Sequence, residues 1–224
     1  FERKILDFNP CPFRVQWRLP RLCTKVRRRS GHAAGVGTRE SRDRNRQARQ
    51  VILENRMFID ERPSVINQRQ RFGDFEGDTM GGPKSASPQT LVVARERMSR
   101  YLLARKVFRP RYAIEGFQTL LDPLPVASLT LDNGVENARH RELGVETYFC
   151  HPFSSWEKGS VENGIGLIRR HIPKRADLAA YSPERIRAIV EAINGTPMKC
   201  LDYRTPKEVF EEQLSLITAS GCCT

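Results

Sequence analysis

The hydrophobic pattern changes character along the chain. Between Gly73 and Cys150 short apolar runs alternate with turn residues, whereas beyond Val161 apolar residues recur at three- and four-residue steps. Strands are therefore expected first and helices last. Asp74–Met80 reads as a first strand closed by Gly81-Gly82-Pro83. Thr90–Ala94 and Tyr101–Val107 read as two more, joined by the polar turn Arg95–Arg100 into an antiparallel hairpin. Ala113–Leu121 predicts a short amphipathic helix carrying Ile114, Phe117, Leu120 and Leu121, and Pro123 and Pro125 end it. Val126–Leu131 returns as a buried strand and Val145–Cys150 makes a fifth, with Asn137–Glu142 between them as a polar helical turn. Val161–His171 is a helix stopped by Pro173. Ser182 caps another, with Pro183 at its first position, Ile186, Ile189, Val190 and Ile193 on one face, and Asn194-Gly195 at its end. Thr205-Pro206-Lys207-Glu208 is a capping box that opens a last short helix with Val209, Phe210 and Leu214 inward.

Three strands, a helix, a strand, a short segment, a strand and then helices make an α/β domain: a mixed five-stranded sheet flanked by helices. That order is similar to ribonuclease H-like domains. Residues 1 to about 50 follow neither period, because Pro10, Pro12, Pro20, Gly31, Gly35 and Gly37 break them into short pieces. Low order is expected there, with some helix from Glu40 to Glu54. The expected division is a basic N-terminal segment over 1–55, a core over 56–215 and a C-terminal tail over 216–224.

Charge adds to this division. The formal net charge is +12, and residues 1–50 hold 14 Lys and Arg against 4 Asp and Glu, so the rest is nearly balanced. Arg27-Arg28-Arg29 and Arg42, Arg44, Arg46 and Arg49 fit a polyanionic partner bound through counterion release, and they equally fit a solvated arm. A hydrophobic content of 39% over 224 residues is enough for a core. No apolar run is long enough for a membrane span and no signal peptide opens the sequence, so a cytoplasmic location without membrane contact is expected. The six cysteines have no Cys-x-x-Cys spacing and no His placed to complete a zinc set, which points to reduced thiols.

Three acids stand where a strand or helix meets a glycine. Asp132 ends the apolar run Leu129–Leu131 and precedes Asn133-Gly134, a layout that suits either a hairpin turn or an acid held at the end of a strand. A tight hairpin fits poorly, since the next apolar run begins only near Val145. Asp78 lies in Glu76-Gly77-Asp78-Thr79, and Asp74, Glu76 and Asp78 would share one side of a regular strand. Either a cation sits among these carboxylates or Gly77 breaks the pleat and turns some into solvent. Glu162, in Gly159-Ser160-Val161-Glu162-Asn163-Gly164, suits a partner for a helix dipole or a member of a site. Gly166 and Arg169 would lie on its face of the helix, leaving room for a ligand and a cation to grip a phosphate. Three such acids suggest one metal site.

With the acids set in those motifs, the chain resembles bacterial transposases of the insertion sequence 30 family, which use an Asp-Asp-Glu triad. The resemblance runs in order through Ile59-Asp60-Glu61-Arg62-Pro63, Gly73–Thr79, Leu129–Gly134, Tyr148–Pro152, Ser155-Trp156-Glu157-Lys158-Gly159-Ser160-Val161-Glu162-Asn163, Arg169-Arg170 and Tyr203–Phe210. It departs at Ile165, where members often have Asn, and at residues 1–50, where no helix-turn-helix is legible. The chain is therefore expected to be a truncated or frameshifted product holding the catalytic core. The resemblance implies an integrase-like, ribonuclease H-like core with Asp78, Asp132 and Glu162 as catalytic residues. Those three would hold two Mg²⁺ ions, with Mn²⁺ as a substitute, because hard cations suit an oxygen-only donor set. It also implies double-stranded DNA as partner, both element ends and target, a homo-oligomer when active, and a bacterial, nucleoid-associated location. Lys158, Arg169 and Arg170 would contact phosphates, as would Arg27, Arg28 and Arg29 in the arm. Asn133 would orient Asp132, Asn163 would support the site, and Trp156 would fill core beside the helix or stack on a base, with the core role favoured. His151 is expected to be structural. The competing readings are a remnant that binds DNA without cutting it and a ribonuclease H-like nuclease without strand transfer.

Overall fold

A computed structural model describes residues 56–83, 87–152 and 154–220. Among them six strands form one mixed sheet: β1 Met57–Phe58, β2 Asp74–Gly81, β3 Thr90–Glu96, β4 Leu102–Val107, β5 Ser128–Leu131 and β6 Glu146–Phe149, in the order β1-β6-β5-β2-β3-β4. The pairs β2/β3 and β3/β4 are antiparallel, and β2/β5, β5/β6 and β1/β6 are parallel. The expected hairpin and two crossovers, drawn from β2 outward, make the ribonuclease H-like topology. The strand not foreseen is β1, whose two residues are too few to show any alternation. It adds to the edge beside β6, with Met57 opposite Tyr148 and Phe58 opposite Phe149.

The helices are α1 Ser64–Asn67, α2 Ala113–Leu121, α3 Gly159–Arg169, α4 Pro183–Asn194 and α5 Pro206–Ser220. α2 and α4 have the bounds their periodicity predicts, because proline, serine and asparagine mark their ends. α5 is longer than expected and runs through residues 216–220, which the pattern assigns to a tail. Its capping box is present: Thr205 Oγ1 accepts from the Glu208 amide at 3.1 Å, and Glu208 Oε2 accepts from the Thr205 amide at 2.8 Å. No helix among the described residues is long and apolar enough to cross a membrane.

β3 is buried along its whole length, because both faces of the sheet are covered there. Leu91 and Val93 point into one core with Met80, Leu102, Val161, Ile168, Ile186 and Val190. Val92 and Ala94 point the other way, to Phe75, Phe117, Leu129, Leu131, Phe149 and Phe210. Side chains of this kind contribute about 1.5–3 kcal/mol each when fully buried.

Two glycines set how close the layers come. A Cβ at Gly77 would lie 2.8 Å from both Phe117 and Leu131, so α2 and β5 sit against a bare backbone in the middle of β2. Gly77 thus serves close packing and leaves the strand unbroken, unlike the pleat-breaking alternative. Gly164 does the same for α3, where a Cβ would meet Leu102 at 2.7 Å. That packing lays α3 across β2 and β3.

Candidate active site

Because the side chains of a strand alternate, Asp74, Glu76 and Asp78 all face α3, opposite Phe75 and Gly77. Each meets a cation. Asp74 accepts from Arg71 Nη2 at 2.7 Å and from Ser128 Oγ at 2.6 Å. Glu76 pairs with Arg97 and accepts from the Val161 amide at 2.9 Å, a bond that fastens β2 to the first turn of α3. Both acids are 1% exposed, so the solvated-edge alternative does not hold for them. Asp78, last in the row, accepts from the Thr79 amide at 2.7 Å and lies 3.1 Å from Lys158 Nζ.

Asp132 follows β5 and stands next to Asp78 because β5 runs parallel to β2. Asn137 Nδ2 donates to its Oδ1 at 2.8 Å and the Gly134 amide donates at 3.2 Å. The second oxygen lies 3.5 Å from the same Lys158 Nζ. Lys158 is 4% exposed and ends the 3₁₀ turn Ser155–Lys158 that leads into α3. Burial alone would pull its pKa down, but the two carboxylates outweigh that and hold the ammonium above its ordinary value. Burial pushes the Asp78 carboxyl up against the pull of Lys158, and repulsion from Asp132 adds to the rise. Two acids on one ammonium leave surplus negative charge at this point.

Glu162, in the first turn of α3, lines a cleft of about 460 Å³ together with Asp78, Asp132, Gly134, Lys158 and His151. The cleft therefore gathers all three acids that the sequence singles out. Its charge attracts cations, and most of its donors are oxygens. Among the described residues, no three His, Cys, Asp or Glu side chains stand close enough to share one ion as placed. Cys150 also lines the cleft, but burial pushes its thiol up to about 12, which keeps it protonated and a poor ligand.

The other expected site residues are placed as follows. Asn133 does not touch Asp132: its Oδ1 accepts from Arg56 Nη1 at 2.6 Å and its Nδ2 donates to the Cys150 carbonyl. Asn137 holds Asp132 instead, and the sequence shows it only as one more polar residue in a turn. Trp156 is 74% exposed, so the core role is corrected: the turn that directs Lys158 inward directs Trp156 outward. Asn163 accepts from Arg95 Nη1 at 2.7 Å. Arg169 donates to the Gly81 carbonyl at 2.9 Å, joining the end of α3 to the end of β2. Arg170 is exposed and lines a separate pocket with His171 and Met198. Lys158, expected at DNA phosphates, is the buried cation between the acids. Arg27, Arg28 and Arg29 lie outside the described residues, as does the proposed helix over 40–54.

His151 sits at the rim of the cleft. Its Nδ1 is 3.0 Å from Glu157 Oε1 and its Nε2 is 3.0 Å from Asp60 Oδ2, while its ring stacks on Phe58 with centroids 5.5 Å apart. The hydrogen bond to Glu157, with the Asp60 charge behind it, raises its pKa.

No protein-family model matches the chain. It is 40% identical over 164 residues to a transposase for the insertion sequence element IS1086 of Cupriavidus metallidurans, covering 69% of this chain and 48% of that protein. The transposase InsI for IS30C of Escherichia coli K12 is 36% identical over 214 residues, covering 91% of this chain and 54% of the relative. A transposase for IS4351 of Bacteroides fragilis is 31% identical over 189 residues, or 79% and 56%. The chain spans about half the length of the curated relatives it matches. Among solved structures, a chain of the simian T-cell lymphotropic virus intasome in complex with PP2A regulatory subunit B56 gamma matches with a TM-score of 0.49 at 16% identity, over 61% of this chain and 53% of that one. The catalytic core domain of BIV integrase matches with a TM-score of 0.48 at 19% identity, over 63% and 95%.

Proposed function

We propose, the chain being by sequence a member of the IS30 family of insertion-sequence transposases, that it is their DNA-cutting and strand-joining core. The observation that carries this reading is the convergence of Asp78 and Asp132 on one buried ammonium, in a cleft that Glu162 also lines. Asp78, Asp132 and Glu162 are proposed as the catalytic triad.

The donor set fits hard divalent ions. Carboxylate oxygens face the cleft, the neighbouring thiol stays protonated, and the one ammonium between the two aspartates leaves negative charge for a further cation. Asp78 and Asp132 would share Mg²⁺ ions, or Mn²⁺ in their place, and Glu162 would hold one of them. Such ions, when bound, supply positive charge for the attacking and leaving oxygens of a phosphodiester and ease deprotonation of the nucleophile. The chain's own groups do the rest. Asn137 and the Gly134 amide fix one oxygen of Asp132 and leave the other directed at the cleft. Thr79 fixes Asp78 in the same way. Lys158 relieves the repulsion between the two acids, and with ions held there its ammonium would be available to a DNA phosphate.

The partner is double-stranded DNA, an element end and a target, and the working form a homo-oligomer. Water attacks a phosphodiester at the element end, and the freed 3′ hydroxyl then attacks target DNA. The test compares wild type with Asp132→Asn in Mg²⁺ on DNA bearing element ends, with cleaved and joined products resolved. Mg²⁺-dependent joined products that vanish in the variant are expected. DNA binding without cleavage would overturn the enzymatic reading, and cleavage without joining would replace it with a nuclease.

A further inference from the structure

We propose that the loop Phe108–Tyr112, with Val135 beside it, is a second DNA-contacting surface next to the acid cleft, suited to duplex DNA of any sequence. The choice of DNA as the occupant rests on the function proposed above.

From Arg97 to Ile114 the chain has six Lys and Arg and no Asp or Glu. The Lys106 ammonium is directed at backbone carbonyls, 2.6 Å from that of Tyr181, whereas Arg105, Arg109 and Arg111 are exposed. Two aromatic rings stand among them in solvent, Phe108 57% exposed and Tyr112 37%. Arg109 lies over the Phe108 ring at 5.3 Å and Arg111 over the Tyr112 ring at 4.9 Å, where it also donates to the Tyr112 hydroxyl at 2.9 Å. Each guanidinium is thus held against a ring in water. Cations held in place beside apolar rings form a surface for a polyanion with stackable or hydrophobic parts.

The location ties this surface to the acids. Across a cleft of about 330 Å³, Pro110 and Arg111 face the 3₁₀ turn Val135–Asn137. Val135 there is 53% exposed, a third apolar side chain left in solvent. The same turn continues from Asp132-Asn133-Gly134, which lines the acid cleft, and its Asn137 holds Asp132. A duplex seated on the loop therefore has its backbone one turn away from Asp132. The acidic neighbours do not cancel the charge: Glu115 and Glu142 share Arg139 and Glu136 adds a negative charge, but Arg105, Arg109, Arg111 and Arg139 outnumber these three glutamates.

The chemistry selects a sequence-neutral contact. Arginines on phosphates give affinity without sequence choice, and rings or a valine against sugars and base faces are equally indifferent. The loop has no Asn or Gln for reading adenine edges, and both of its arginines, which could read guanine, are held against their neighbouring rings, an arrangement that favours phosphate contact. Its occupant is accordingly DNA of arbitrary sequence, as a target is, and not a fixed terminal repeat.

Binding of the full chain to a random-sequence duplex, followed by fluorescence anisotropy across a salt series without divalent metal, tests this. Arg109→Ala/Arg111→Ala is expected to weaken binding several-fold and to reduce the slope of log K against log salt by about 2. Phe108→Ala/Tyr112→Ala should weaken binding with the slope unchanged. Arg204→Ala/Lys207→Ala, just before and at the start of the last helix, should change neither. Affinity and slope both unchanged in the arginine pair would overturn the proposal. So would an effect confined to DNA bearing element ends, or a change in self-association with DNA binding intact. Should the arginine pair not fold, a benzophenone photocrosslinker at position 112 replaces it. It should capture the random duplex more than the same group at position 203, a tyrosine 71% exposed, and equal capture would sink the idea. No metal or cleavage enters these measurements, so they fail or succeed separately from the Asp132→Asn test.

Discussion

Lys158 stands between Asp78 and Asp132 with almost no exposure of its own, and it is the residue on which the electrostatics of the site turn. Lys158→Met keeps the apolar stem and removes the charge, leaving two neighbouring carboxylates with no ammonium between them. Breaking a buried pair costs about 3–5 kcal/mol. Asp78 and Asp132 retain some contact with solvent, so a smaller loss of about 1–3 kcal/mol is expected, read by urea denaturation. Activity should fall as well, because repulsion drives the acids apart. A variant as stable and active as wild type would show that Lys158 does not organise the acids.

His151 gives a second residue-scale prediction. Its pKa is raised mainly by the hydrogen bond to Glu157, with Asp60 assisting. The sign follows: any stability this contact gives is fully present below the unfolded value near 6.5 and is lost as pH rises through the higher folded value. NMR titration of the imidazole should find a midpoint above 6.5, and Glu157→Gln should bring it down. A midpoint indifferent to Glu157→Gln would exclude the contact.

At the scale of elements, the close approach of layers matters more than the helices' own propensities. Gly77→Ala places a methyl 2.8 Å from the side-chain ends of Phe117 and Leu131, both fully buried, so one of them must shift. A loss of about 1–3 kcal/mol is expected from overpacking, and thermal melting with and without Phe117→Leu measures it. Relief of the loss in the double variant is expected, and additivity would show that the two do not collide. Asn194 makes a related point. Its position at the end of α4 is legible as a terminator, yet its side chain also pairs with both backbone groups of Leu102, at 2.8 and 2.9 Å. Asn194→Leu should therefore cost about 2–4 kcal/mol, since two buried backbone groups lose their partner.

These elements differ in how far the sequence foretells them. α2 and α4 announce their own ends, and β2 to β6 announce themselves by period. β1 does not, and Trp156 lies in solvent and not in the core because a tryptophan beside a helix carries no local mark of which way its turn faces. Asn133 and Asn137 are equally polar in sequence. Only the path of the chain after β5 gives Asp132 to the second and not the first.

Over the whole molecule, charge is uneven: residues 1–50 carry a net +10, and the remainder is nearly neutral. If that arm meets DNA, replacing Arg27, Arg28 and Arg29 by alanine should lower affinity for duplexes of any sequence and reduce the salt slope by up to about 3. Cleavage at the site itself should still depend on Asp132. An unaltered slope would assign the basic character of the arm to solvation alone.

The sequence by itself determined the order of β2 to β6 and of α2 to α5, and three acids at element ends within motifs specific to one family of transposases. Those features are local: each follows from side-chain period, capping chemistry or a short run of residues. The tertiary structure decided which groups meet. Parallel pairing of β5 with β2 brings Asp132 beside Asp78, the packing of α3 against β2 and β3 brings Glu162 to the same cleft, and the turn leading into α3 places Lys158 between the two aspartates. Residues 54 and 30 positions apart in the chain converge there because a crossover returns β5 beside β2 in the middle of the sheet and α3 packs against the same face, a relation that no local pattern encodes.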